Sequence, residues 1–116
     1  MQESRGSLFK AVQGNDDADN SADVELIASP GADARIYVTR VIVTVNTVNA
    51  SVMEIEGDDG ATATPFLDFR LDAVGTTSVD FGQYGYQLAK DNNVQIKTVA
   101  GGAANVVVLG YVCTNR

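Results

Sequence analysis

Residues 35–46, RIYVTRVIVTVN, constrain the chain more than any other segment. Eight of these twelve residues are Val, Ile or Thr. Branching at Cβ restricts χ1 against a helical turn but packs well on a pleated surface, so the segment predicts a long β-strand. In an unbroken strand, Ile36, Val38 and Ile42 share one face, while Tyr37, Val41, Val43 and Val45 share the other. Both faces are then apolar around Val41–Val43. Two readings stay open: the strand is covered on both sides there, or a bulge near Arg40 shifts its register.

The remainder of the chain repeats that signal in shorter pieces. Apolar positions at helical spacing are interrupted by Gly or β-branched residues in every window of about a dozen residues. Period-two runs instead predict strands at 7–13, 23–28, 51–56, 66–71, 76–81, 93–99 and 105–113, with a short bridge at 86–88. Turn residues separate them, as in Ser29-Pro30-Gly31 and Gly57-Asp58-Asp59-Gly60. The alternation turns Leu67, Phe69, Leu71, Val79, Phe81, Val94 and Ile96 inward. About eight short strands at this spacing predict an all-β, single-domain antiparallel sandwich or barrel, and the β-sandwich is the architecture expected. Residues 1–22 read differently, as an N-terminal arm with a first short strand and an acidic loop at 14–22; residues 23–116 form the sandwich.

Composition narrows the chemistry. The 116 residues contain no histidine, no tryptophan and one cysteine, Cys113. Without histidine the commonest general base and transition-metal ligand are both missing, and Cys113 has no evident partner base. An enzyme is therefore not expected, nor a cofactor. A net charge of −7 disfavours nucleic acid and anionic membranes as partners. No apolar run is long enough to span a bilayer. The first residues show no signal-peptide pattern, and a lone cysteine suits a reducing compartment. Two acidic clusters invite a hard cation: Asp16, Asp17 and Asp19, and the stretch Glu54–Gly60. In the second, EF-hand order fails, with Gly60 one place late and Pro65 where the closing glutamate belongs. A solvated hairpin turn accounts for it.

The remaining signal is surface. The run 105–113 is apolar on both faces, with Val107, Leu109 and Tyr111 opposite Val106, Val108 and Val112. A two-layer sandwich buries one face of each sheet. The second face is covered by a loop or the N-terminal strand, or it is a subunit interface. The candidate interface residues are Tyr37, Val41, Val43, Val107, Leu109 and Tyr111.

Several segments carry a resemblance: Leu8-Phe9-Lys10-Ala11-Val12, Ala28-Ser29-Pro30-Gly31-Ala32, Arg35-Ile36-Tyr37-Val38, the corner Asp80-Phe81-Gly82-Gln83-Tyr84-Gly85-Tyr86, and Val106-Val107-Val108-Leu109-Gly110-Tyr111-Val112. Together the chain resembles the jelly-roll head decoration, or cement, proteins of tailed bacteriophages. The resemblance implies a jelly roll made in the host cytoplasm and carried on the capsid exterior. It implies a homotrimer that binds the major capsid protein and stabilises the shell. The alternative is a carbohydrate-binding or tail-fibre-type receptor-binding module, with Tyr84 and Tyr86 as its platform.

Overall fold

The computed structural model describes residues 9–17, 23–48, 52–97 and 103–114. They form nine strands: β1 (Phe9–Asp17), β2 (Val24–Ile27), β3 (Ala34–Thr47), β4 (Val52–Asp58), β5 (Ala63–Arg70), β6 (Gly75–Asp80), β7 (Tyr86–Gln87), β8 (Asn93–Lys97) and β9 (Ala103–Thr114). No helix occurs among the described residues.

The topology follows from nested pairing. β4 pairs with β5 across the tight turn at 59–62, β3 with β6 and β7, β2 with β8, and β1 with β9, every pair antiparallel. These pairs are successive layers of one long hairpin. Rolling that hairpin sets β9 beside β3 and β8 beside β4. Two sheets result, β1-β9-β3-β6 with β7 also on β3, and β2-β8-β4-β5. This is a jelly-roll β-sandwich, the expected class, with the bridge at 86–88 making the ninth strand.

Between the sheets lies an aliphatic core. β3 and β9 contribute Ile36, Val38, Val41, Val43, Val45, Val106 and Val108, and β4 and β8 face them with Met53, Ile55, Val94 and Ile96. Burying each such side chain contributes about 1.5–3 kcal/mol. Val94 and Ile96 point inward as their alternation predicts, and Leu71 is fully buried.

A bulge in β3 decides which residues reach the core. Val38 lies opposite Gly110, but Arg40 lies opposite Leu109, so β3 carries one extra residue, Thr39. The Thr39 hydroxyl donates to the Leu109 carbonyl at 3.1 Å, fixing the extra residue to the partner strand. The inward row is Ile36 and Val38 before the bulge, then Val41, Val43 and Val45 after it. Of the two readings of the doubly apolar stretch, the bulge is the one realised.

Two glycines mark backbone approaches too close for a side chain. A Cβ at Gly110 would drive into the Tyr37 carbonyl and the Val38 backbone of β3. One at Gly14 would meet the backbone of Leu26, where β1 crosses over β2 from the other sheet. Residues 14–17, expected to open the acidic loop, instead continue β1 in register with β9. Residues 1–8 and 18–22 of the expected arm and loop lie outside the described residues.

Candidate interface on the outer sheet face

The bulge also sorts the candidate interface residues. Tyr37 on β3 points outward, as do Val107, Leu109 and Tyr111 on β9, all partly exposed. Val41 and Val43 do not join them: both are buried in the core. An unbroken alternation from Tyr37 assigns these two valines to the outer face, and the extra Thr39 reverses the parity beyond it. Ile42 takes their place, directly opposite Val107.

The outer face of β3 and β9 thus carries Tyr37, Ile42, Val107, Leu109 and Tyr111. Tyr37 and Tyr111 are cross-strand neighbours, and their rings stack at 5.0 Å between centroids and 5° between planes. Their hydroxyls are held as well. Tyr111 donates to the Tyr84 carbonyl at 2.9 Å, and the Gln87 side-chain amide donates to the Tyr37 hydroxyl at 3.0 Å. Partial burial, with the neighbouring Tyr37 second, pushes the Tyr111 phenol above its ordinary value of 10.0, so it is a neutral donor at physiological pH. One flank of the patch is polar: Arg40 pairs with Asp80 at 3.2 Å, and the Thr44 and Thr76 hydroxyls meet at 3.1 Å. Backbone donation from Gly82, then Arg40, holds Asp80 below the usual carboxylate range. The result is an apolar, aromatic strip with a preset geometry and one charged flank.

The other sheet presents a different outer face. There Glu54 meets Lys97 at 3.7 Å. Glu56, 3% exposed, accepts from the Gln95 amide at 2.6 Å, and the same amide reaches Asp58 at 3.2 Å. The Asn93 amide donates to Glu25 at 2.8 Å and to the Gln95 side-chain oxygen, Oε1, at 3.2 Å. The carboxylates of the Glu54–Gly60 stretch are thus held by side-chain amides, by Lys97 and by the turn itself. Asp58 accepts from the Gly60 amide, and Asp59 from the amides of Ala61 and Thr62, which lowers the Asp59 pKa. Among the described residues no three His, Cys, Asp or Glu side chains are grouped to hold a metal ion. Asp16 and Asp17 belong to β1, and Asp19 lies outside the described residues.

Cys113 is half-buried on β9, opposite Arg35 and Phe9. Tyr84 is 77% exposed and Tyr86 40% exposed. Tyr86 stacks on Phe66 at 4.9 Å, above a cleft of about 180 Å³ lined by Gly57, Thr64, Phe66, Leu88 and Asn92. Sequence reasoning missed the exposed valines Val48, Val52 and Val74, which sit where β3, β4 and β6 meet their loops at one end of the sandwich. Their only signal was an apolar residue beside a turn.

Comparison with known proteins adds a fold and no family. No protein-family model matches the chain, and no curated protein matches it by sequence. Solved structures do. A chain from the disulfide-linked pili of Bacillus endospore appendages superimposes with a TM-score of 0.54 at 14% identity, over 93% of this chain and 88% of that one. A chain of the acid-stable capsid of Helicobacter pylori bacteriophage KHP30 gives 0.53 at 17% identity, over 89% and 87%. At these identities the likeness is one of fold. Among the described residues no helix is long and apolar enough to cross a membrane.

Proposed function

We propose that this chain is a structural virion protein, a decoration or cement protein that binds the assembled bacteriophage head as a homotrimer and stabilises the shell. The observation that carries the reading is the outer face of β3 and β9. Tyr37, Ile42, Val107, Leu109 and Tyr111 hold an apolar strip on a rigid two-sheet scaffold, whereas the opposite face is polar. Monomers rarely leave such a strip wet. The strip serves the contact between subunits, and the acidic body docks on the major capsid protein, with many copies supplying avidity. The protein works by burying surface and performs no catalysis. It binds no nucleic acid or membrane, and it sits on the capsid exterior after synthesis in the host cytoplasm. The likeness in fold to a phage capsid chain agrees with this reading.

Light scattering and co-sedimentation test it. The purified protein is expected to assemble through trimers and to pellet with expanded heads. Tyr111→Arg is expected to lose the trimer by light scattering, to keep its fold by circular dichroism and no longer to pellet. A wild-type monomer indifferent to capsids would sink the reading.

A second reading has its own observation, the exposed Tyr84 and the cleft beneath Tyr86. An aromatic wall with amide and hydroxyl groups suits a sugar, as in a receptor-binding module. Glycan-array binding lost on Tyr86→Ala would favour it over the first; an array without signal eliminates it.

A further inference from the structure

Among the described residues the sandwich has four edge strands, and three of them are blunted or short. β5 carries Pro65 and a register break against β4. β2 has four residues and a break between Glu25 and Ile27. β6 is six residues long, and its sheet edge passes to the two-residue β7. β1 differs: nine residues, no proline, and unbroken register with β9 from Phe9↔Cys113 to Asp17↔Asn105. Among the described residues its other edge has no partner strand. A long, straight, unprotected edge is a template for another strand, because every second residue offers an unpaired N–H and C=O. Beside this edge lies an open groove of about 480 Å³, with apolar walls from Val12, Leu26, Ile27, Pro30 and Val112.

We infer that β1 pairs antiparallel with β1 of a second copy of this chain, about a two-fold axis at Gln13. The strand's own sequence, FKAVQGNDD, is what selects a second copy as the occupant. With Gln13 opposite Gln13, the register sets Val12 opposite Gly14 and Ala11 opposite Asn15. It also sets Lys10 opposite Asp16, and the symmetry makes that opposite-charge pairing twice. The half-buried Val12 then meets a position that has no side chain, next to the groove. Because the axis is perpendicular to the sheet, both copies keep the same face outward. The two β1-β9-β3-β6 sheets fuse into one, and their tyrosine strips lie on one side of it. This contact goes beyond the proposed virion role and does not depend on it, since it uses the edge of the sheet and leaves the outer face open.

Charge-swap complementation tests the register on the full chain. Lys10→Asp alone and Asp16→Lys alone each convert two attractive pairs into repulsive ones, and by sedimentation equilibrium each is expected to weaken the edge contact about tenfold. Mixing the two variants restores opposite pairs across the axis, so the contact is expected to return in the mixture. Circular dichroism on each variant checks the fold. Independently, in a Cys113→Ser background, Gln13→Cys is expected to form a disulfide-linked dimer under mild oxidant, whereas Ala11→Cys is not. Single reversals that leave association unchanged, a mixture no stronger than its components, or cross-linking at 11 in place of 13 would each overturn the inference. Tyr111→Arg separates the two proposals: it removes the outer-face trimer and leaves the Gln13→Cys cross-link intact. Failure of the trimer with a surviving cross-link therefore counts against the virion reading alone.

Discussion

The two outer faces of this sandwich solve the same problem in opposite ways. On the β2-β8-β4-β5 sheet the outward residues Glu54, Glu56, Asp58, Asn93, Gln95 and Lys97 satisfy one another, with Glu25, through amide–carboxylate hydrogen bonds and one ion pair. Nothing more is needed to keep that face stable against water. On the β1-β9-β3-β6 sheet the outer strip is Tyr37, Ile42, Val107, Leu109 and Tyr111, flanked by Arg40 and Thr44, and its two phenols already have partners. A face that satisfies itself has no call on a partner, whereas an apolar one gains by being covered. The comparison sets an apolar strip on one sheet against a self-paired polar face on the other.

It can be broken most severely at Gly110. Gly110→Ala puts a methyl group into the β3 backbone, so β9 must leave β3 and both faces lose their scaffold. The expected cost is about 3 kcal/mol or more, read as a fall in the urea midpoint. Next comes Ile36→Ala, at about 2–5 kcal/mol in the same measurement. It empties core volume beneath the tyrosine strip and should leave the oligomeric state of the folded fraction unchanged.

Gln95→Leu sharpens the polar side. It removes the donor shared by Glu56 and Asp58, leaving a nearly buried carboxylate unsatisfied at a cost of about 1–3 kcal/mol. A fall in the urea midpoint checks it. The equivalent subtraction on the apolar side is smaller. Tyr111→Phe keeps the stack but loses the bond to the Tyr84 carbonyl, at about 0.5–1.5 kcal/mol.

The smallest effects are proton linkages. The Tyr111 pKa is raised in the folded state, so its contribution is complete below the unfolded value of 10.0 and is lost as pH rises through the folded one. Stability should decline above about pH 10, and less steeply in Tyr111→Phe. Asp59 and Asp80 are shifted the other way, from 3.8 downward. Their contributions are present above that value and vanish as pH falls through the lowered one. Carboxyl titration followed by NMR should find both midpoints below 3.8.

Much of this architecture was legible in the residues. β-branched runs with period-two alternation located the strands and identified the inward side chains of β8 and β9, because pleat direction is a local property. The doubly apolar stretch of β3 offered a bulge near Arg40 as one of two readings, and the structure has it at Thr39. Val41 and Val43 were not legible as core, because the bulge at Thr39 depends on the Leu109 carbonyl seventy residues away. Nor was Glu56, an outward glutamate that becomes buried only because Gln95 on β8 is laid against it.

By itself, then, the sequence determined an all-β sandwich, its approximate strand positions and the apolar surplus of its longest strands, all of which follow from side-chain shape and alternation. Tertiary structure decided the nested pairing that makes it a jelly roll. It also decided the parity of β3 beyond residue 39 and the identity of the exposed strip, because each depends on which distant backbone lies alongside. Tyr37 and Tyr111 stack as a consequence of that alignment, and their partnership is invisible in either strand alone.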